Sequence, residues 1–290
     1  AFTYTVEDID GWRDTAEVIL SVGTVIWFID DDAAPGGDGS LARPYDTVAA
    51  FNAGASDAPG DIIFVFGGTY SGEGFTLLDG QQLVGEGAGL TLNANIPAGP
   101  TPVLGTTGGD PLVTLGRDNT LAGFDIGDTP GAYGISGTNV GTLTILDVGI
   151  IDSGGGMFLD GGALNVSLER ITVIDSPGPI LDVRNVTGNL TVVADLRGAG
   201  VALRNSPAAT FRLDALDLET TDGSPALLVE NVGTLTTRSG VLLGRGGPAM
   251  SLDAIGTGDM TLVRASSLDS GTHGVSINDY NGAMTLTGGI

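Results

Sequence analysis

Gly141-Thr142-Leu143-Thr144-Ile145 is the first clear copy of a short motif that returns along the second half of the chain. The motif is an apolar residue, any residue and a second apolar residue, preceded by Gly, Thr, Asn or Asp. Later copies include Gly188-Asn189-Leu190-Thr191-Val192 and Asp259-Met260-Thr261-Leu262. The first apolar residue recurs at Leu143, Val166, Leu190, Phe211, Leu235, Met260 and Met284. A recurrence of about 24 residues indicates a repeat architecture.

Each repeat carries a second apolar position, seven to eight residues before the first, and a Gly- or Pro-bearing turn before that. The second position is occupied by Ile135, Leu159, Val183, Leu203, Leu228, Leu252 and Ile277. Nothing in the repeat has helical periodicity, which disfavours a leucine-rich repeat, and a β-propeller needs longer repeats. The pattern predicts an all-β fold, a right-handed parallel β-helix with about 24 residues per coil. About 11 coils, stacked about 4.8 Å apart, are expected.

The first coil of such a stack would expose a strand edge, which is an aggregation hazard. The segment Thr47-Val48-Ala49-Ala50-Phe51-Asn52-Ala53 offers a cover, because Val48, Phe51 and Ala50 or Ala53 would form an apolar stripe on a helix. Asp46 or Thr47 can cap its start. We predict a short capping helix near residues 46–53.

The segment that surrounds this helix resembles the opening of pectate-lyase-like β-helix proteins. The matching stretches are Asp32 to Thr47, with Pro35-Gly36-Gly37-Asp38-Gly39-Ser40 inside it, and Gly60 to Tyr70. At fold level the resemblance covers nearly the whole chain, and it is specific for the fold but weak for activity.

Residues 1–23 have a different pattern, two short alternating strands joined by a turn. The segments Phe2 to Gly11 and Asp14 to Val18 resemble the last strands of Ig/cadherin-like modules, which occur in tandem in large bacterial surface proteins. The resemblance implies two units, the end of such a module at 1–23 and the β-helix at 24–290. It also implies a piece of a longer bacterial protein that is secreted or displayed at the cell surface.

Composition limits the partners. The net charge is −24, with 35 acidic and 11 basic residues, all of the latter Arg. A chain this acidic repels phosphate backbones, so nucleic acid is an unsuitable partner, and no apolar run reaches the roughly 18 residues of a membrane span. Cys is absent, which excludes thiolate metal sites and a cysteine nucleophile.

Two arginines are the candidate catalytic or binding cations. Arg184 and Arg204 each precede an Asn at the same repeat position, so they should lie on neighbouring coils, with Asp182 nearby and Glu230 in the same row. Lyases of the pectate-lyase-like family abstract a proton beside a uronate carboxylate with Arg or Lys and hold calcium on Asp or Glu. The alternative is a solvent-exposed row of ion pairs that has no functional role.

Calcium is the one cofactor that the acidic residues suggest, because it prefers carboxylate and carbonyl oxygens. Asp152 and Asp175 occupy matched positions on adjacent coils, where a bridging ion would relieve their repulsion. Asp30, Asp32 and Asp38 lie in a Gly-rich loop and form a second candidate group, without the spacing of an EF-hand. Both groups have the alternative of carboxylates that simply point into water.

Several asparagines precede the motif by four to six residues and resemble the internal Asn ladder at a β-helix bend, which is a structural feature. They are Asn139, Asn185, Asn205, Asn231 and Asn278.

Taken together, the sequence predicts a non-catalytic structural or adhesive module of a large extracellular protein, stabilised by calcium and in contact with glycans or with other copies of itself. The alternative is a calcium-dependent polysaccharide lyase, with Arg184 and Arg204 as candidate catalytic residues.

Overall fold

A computed structural model describes residues 2–18, 23–91, 95–168, 171–174 and 176–288. It contains one α-helix, Val48–Gly54, and a single 3-10 turn, Glu86–Ala88, within these ranges. The strands are β1 Phe2–Glu7, β2 Arg13–Val18, β3 Ile26–Ile29, β4 Ile62–Val65, β5 Thr69–Tyr70, β6 Phe75–Thr76, β7 Gln82–Gly85, β8 Val103–Leu104, β9 Val113–Leu115, β10 Thr120–Ile126, β11 Thr129–Thr138, β12 Thr142–Ile151, β13 Ser153–Asp160, β14 Ala163–Leu168, β15 Ile171–Ile174, β16 Leu181–Arg184, β17 Thr187–Gly198, β18 Val201–Thr220, β19 Leu227–Arg245, β20 Met250–Leu262, β21 Arg264–Leu268 and β22 Val275–Leu286.

From β3 onward the strands form a parallel β-solenoid, as the sequence predicts. It has about nine turns of roughly 24 residues, fewer than the 11 expected. The reason lies in two long early coils: Ile26 pairs with Ile62 across the helical segment, and Gln82 pairs with Thr120 across an irregular loop.

The motif residues stack as predicted. Leu190 pairs directly with Phe211, and Phe211 with Leu235, and all three are at most 1% exposed. The register then shifts by one pleat, because Leu235 pairs with Gly258 and Met260 pairs with Thr237. A shift of two residues keeps every side chain on its own face, so the apolar core continues.

Two predicted core positions are not buried. Ile277 is in register with Leu252 but is 48% exposed, and Leu228 lies on the wrong face of its strand. The row that contains Val183 and Leu203 continues through Val229, which is fully buried, whereas Leu228 points outward from the same strand. Because side chains alternate along a strand, a one-residue error moves Leu228 from the interior to the surface.

The helix closes the first coil as expected. The hydroxyl of Thr47 accepts a hydrogen bond from the Ala50 amide at 3.0 Å, so Thr47 is the N-cap. Val48 and Phe51 are buried and join the apolar core of the solenoid beside Tyr45 and Phe75. Residues 2–18 form an antiparallel hairpin, β1 with β2, in a sheet separate from the solenoid. Its membership of an Ig-like module stays a prediction.

The bends between the long strands depend on single residues in the left-handed conformation. Asn139, Asn185, Asn205 and Asn231 have φ of 48° to 56°, and the next two coils place Ala254 and Asp279 at the corresponding position. Asn and Asp tolerate this conformation better than other residues. All five predicted ladder asparagines, Asn278 included, are exposed. The prediction of an internal amide ladder is therefore wrong, because four of these residues set the bend through their backbone and do not stack inside it.

Ala254 is the exception in this row, with φ of 52° and no side-chain polar group to compensate. An L-residue pays roughly 1–2 kcal/mol in this conformation, and Asn pays less. We expect Ala254→Asn to raise the free energy of unfolding by about 0.5–1 kcal/mol, measured by urea denaturation. The control is Ala208→Asn, at an exposed strand residue, which should not stabilise; equal gains at both positions would contradict this explanation.

Candidate functional site

Two rows of outward-facing side chains lie on the sheet formed by β11, β13, β16 and the first parts of β18, β19 and β20. In one row Phe158, Asp182, Ala202 and Leu228 are in direct register on successive coils. In the other row, Arg184 pairs with Arg204 and Arg204 with Glu230, as the repeat positions predict. The full second row reads Thr138, Asp160, Arg184, Arg204, Glu230, Asp253 and Asn278.

Asp182 is the centre of this face. Its side chain is only 3% exposed although it points away from the core. Arg184 binds both carboxylate oxygens, through Nε at 3.0 Å and through Nη2. Arg204 Nη1 donates to Oδ1 at 3.2 Å, and the Tyr133 hydroxyl donates to Oδ2 at 3.1 Å. These four hydrogen bonds compensate for the loss of water around the carboxylate.

The two guanidiniums differ in their remaining partners. Arg184 lies over the ring of Phe158, with Cζ 4.9 Å from its centroid. Arg204 extends to the next coil, where its Nε lies 3.5 Å from Glu230 Oε2. The hydrogen bonds that Arg184 donates to Asp182 raise the pKa of Arg184 above its ordinary value. Arg184 therefore stays protonated and is suited to binding rather than to accepting a proton.

An aromatic pair completes the face. The rings of Tyr133 and Phe158 stack at 5.4 Å with an interplanar angle of 29°. Tyr133 is in register with Gly155, and a β-carbon on Gly155 would lie 2.6 Å from the Tyr133 ring. Glycine at this point lets the ring lie across β13 and reach Asp182 two coils away. We call these six residues the Asp182 cluster: Tyr133, Phe158, Asp182, Arg184, Arg204 and Glu230.

The hydroxyl of Tyr133 gives a pH-dependence that can be measured. Burial, followed by the charge of Asp182, raises its pKa to about 12. A raised folded-state pKa contributes stability that is complete below the unfolded value, about 10, and is lost as the pH rises toward 12. We expect the stability of the wild type to fall across this window and that of Tyr133→Phe to fall less, in urea titrations at successive pH values. The control is Tyr4→Phe, at an exposed site, which should keep the pH profile of the wild type. If Tyr133→Phe keeps that profile too, the raised pKa does not belong to Tyr133.

The structure brings part of the predicted calcium set together. Asp30 and Asp32, with Asp31 between them, can place one carboxylate oxygen each within 4.8 Å of one another. Asp38 is used differently, since it accepts from Ser40 at 2.7 Å and pairs with Arg43 at 3.2 Å. Asp152 is exposed at a left-handed bend, and Asp175 lies outside the described residues.

We keep calcium as a proposal at Asp30, Asp31 and Asp32, whose hard oxygen donors suit the ion. Two of these oxygens are already acceptors, Asp30 Oδ1 for the Asp32 amide and Asp31 Oδ2 for the Thr69 amide. We expect millimolar calcium to raise the melting temperature relative to EDTA, and Asp32→Asn to reduce that difference more than Asp152→Asn. A melting temperature that EDTA leaves unchanged would contradict the proposal.

Sequence reasoning missed both aromatic residues. Phe158 could have been found by counting, because it lies one residue before Leu159 and so faces outward beside Asp182. Tyr133 could not, because the register of β11 against β13 shifts between Thr129 and Tyr133. Counting from a regular repeat therefore gives the wrong neighbours for its side chain.

No protein-family model and no curated protein matches the sequence. Solved structures do show a similar fold. A GH136 lacto-N-biosidase from Eubacterium ramulus aligns with a TM-score of 0.50 and 10% identity, covering 90% of this chain and 68% of that one. A rhamnogalacturonan lyase (TM-score 0.42, 10% identity, 86% and 75% coverage) and a pectin methylesterase from Aspergillus niger (0.43, 12%, 92% and 88%) align less well. At these identities the likeness establishes the solenoid fold alone. In the described part of the chain no helix is long and apolar enough to cross a membrane.

Proposed function

We propose that this chain is a carbohydrate-active β-solenoid that binds a glycan along the face of the Asp182 cluster. The observation that supports the proposal most is the combination of a buried carboxylate, two partly exposed guanidiniums and a stacked aromatic pair on one face. Arg184 and Arg204 side chains are 40% and 30% exposed. Their free N–H groups can donate to sugar oxygens, since a guanidinium carries five N–H donors.

Preorganisation is the physical reason why this face suits binding better than a solvated row of ion pairs would. Asp182 holds both guanidiniums in place, so less rotamer entropy is lost when they bind a ligand. Partly buried Phe158 and Tyr133 add an apolar surface, against which the C–H groups of a sugar ring can pack.

The charge of the cluster favours a neutral glycan. The two arginines are balanced by Asp182 and Glu230, and the chain as a whole carries −24. The negative charge of the chain would repel a polyuronate, and the cluster has no net positive charge to offset that repulsion. Binding of a polyuronate would therefore need calcium or high salt. In the lyase hypothesis Arg184 is not the proton acceptor, because both oxygens of Asp182 accept its hydrogen bonds and keep it protonated.

We prefer a carbohydrate-active protein to the non-catalytic spacer that the sequence first suggested. A solenoid of this kind is found in a protein named as a lacto-N-biosidase. That likeness motivates the choice of ligands to test, while the case for this chain depends on its own residues. Secretion, adhesion and self-association stay predictions.

The test is binding of neutral and uronate oligosaccharides, measured by calorimetry at low and physiological salt with and without calcium. We expect a neutral glycan to bind, and Arg204→Ala to weaken it about tenfold or more, as loss of a charged hydrogen bond does. Arg238→Ala is the matched control, because Arg238 pairs with Asp214 at 3.5 Å on a later part of a coil. If no glycan binds, or if both variants bind alike, the proposal is wrong.

The catalytic alternatives have separate readouts on the same samples. New reducing ends would indicate hydrolysis, and ultraviolet absorbance of an unsaturated uronate would indicate a lyase. Uronate turnover that Arg204→Ala abolishes would replace the neutral-glycan proposal with the lyase.

A further inference from the structure

A small apolar pocket opens beside Arg204 on the same face of the solenoid, with a volume of about 110 Å³. Its floor is Ala202 and Leu228, which lie on neighbouring coils in the row of Asp182. Its walls come from the turns that precede β16, β18 and β19 and include Pro177, Pro179 and Pro225. The pocket is thus continuous with the face on which we place the glycan.

The size of the pocket limits its occupant. Pockets that enclose a whole drug-sized ligand measure roughly 300–1,000 Å³, so this one suits a substituent rather than a sugar ring. Its walls are mostly hydrocarbon. Since a cavity of roughly 150 Å³ holds a benzene ring, this pocket suits a substituent of about three or four non-hydrogen atoms. A hydroxyl group would not reach those walls, so its binding would bury little apolar surface and would gain little free energy from the hydrophobic effect.

The polar groups of the pocket are largely used within the protein. The Thr220 hydroxyl donates to the Ser224 carbonyl at 2.7 Å, and the Ser224 hydroxyl donates to Asp222 at 3.0 Å. Arg204 is the exception, because Nη1 donates one hydrogen bond to Asp182 and Nε faces Glu230. The guanidinium therefore keeps N–H groups for a ligand at this side of the pocket.

An apolar pocket with a cationic donor beside it matches a methyl group attached to a carbonyl. We propose that the pocket receives the acetyl group of an acetylated sugar, with the methyl against the prolines and Leu228 and the carbonyl oxygen accepting from Arg204. The acetyl group is uncharged, which suits a chain of net charge −24 better than a sulfate or carboxylate substituent would. This inference rests on the proposed glycan binding and names its ligand class.

The test compares ligands that differ only in the substituent. Chitotetraose and cellotetraose differ in an acetamido group against a hydroxyl, and acetylated xylo-oligosaccharides are compared with their saponified products. We expect the acetylated member of at least one pair to bind about tenfold tighter or more, the range for burial of one small apolar group. The two pairs distinguish an N-acetyl from an O-acetyl ligand.

Filling the pocket gives the structural control. Two larger side chains, Ala202→Leu and separately Leu228→Phe, should each fill the pocket. Each variant should bind the acetylated ligand and its unacetylated partner with nearly equal affinity, so that their affinity ratio is close to one. Ser251→Leu, in the same row but on the coil after Leu228, should keep the ratio. Thermal melting checks that each variant folds.

The outcomes separate this inference from the function on which it rests. Equal affinity within both pairs, or a ratio that neither filler changes, overturns the acetyl pocket and leaves glycan binding in place. A wild type that binds no member of either pair and no other oligosaccharide overturns both.

Discussion

We expect Asp182→Ala to lower the free energy of unfolding by about 2–3 kcal/mol and to abolish the proposed glycan binding. Removing one partner of a fully buried ion pair costs about 3–5 kcal/mol. We expect less here because the guanidiniums of Arg184 and Arg204 are 40% and 30% exposed and regain water when the carboxylate is lost. Tyr133 also loses the acceptor of its hydroxyl.

The measurement is urea denaturation combined with calorimetric titration of the oligosaccharide that binds best. Asp217→Ala is the control, because Asp217 pairs with Arg197 at 3.5 Å and both side chains are more than half exposed. Such a surface pair contributes about 0–1 kcal/mol. If Asp182→Ala lowers the free energy of unfolding no more than Asp217→Ala does, the cluster is an ordinary solvent-exposed row of charges.

Replacing Phe211 with alanine has the largest expected effect on the fold, a loss of about 3–5 kcal/mol. Its ring is fully buried and packs between the coils of Leu190 and Leu235. In a solenoid each coil contacts mainly its neighbours, so the damage should spread to adjacent coils before the ends.

Denaturation measured by circular dichroism gives the total loss in free energy of unfolding. Hydrogen exchange shows which coils lose stability. The control is Val193→Ala, on the coil before Phe211, where the side chain is 57% exposed. That change should cost well under 1 kcal/mol, as surface substitutions do. Similar costs for the two variants would contradict a stacked apolar core.

Much of the fold could be predicted because the repeat constrains the chain twice, through its length and through alternation of side chains. The row of Leu190, Phe211 and Leu235 follows from both constraints. Leu228 shows their limit, since two adjacent apolar residues satisfy the spacing equally well and only the pairing places Val229 inside.

The candidate site was predictable in part. Arg184, Arg204 and Glu230 follow from their common position in the repeat, and the structure places them in one row. The central role of Asp182 depends on bonds from three side chains on different coils, and one of them, Tyr133, reaches it only because Gly155 leaves room. Contacts of this kind arise from local irregularity, which a periodic pattern does not contain.

Hydrogen–deuterium exchange with and without the best-binding oligosaccharide tests the central claim, that the Asp182 cluster binds a glycan. We expect ligand-dependent protection in residues 181–184, 201–204 and 227–230, and no change in residues 213–218 and 237–243 of the same coils. Protection confined to those latter segments, or spread evenly along the solenoid, would contradict the claim.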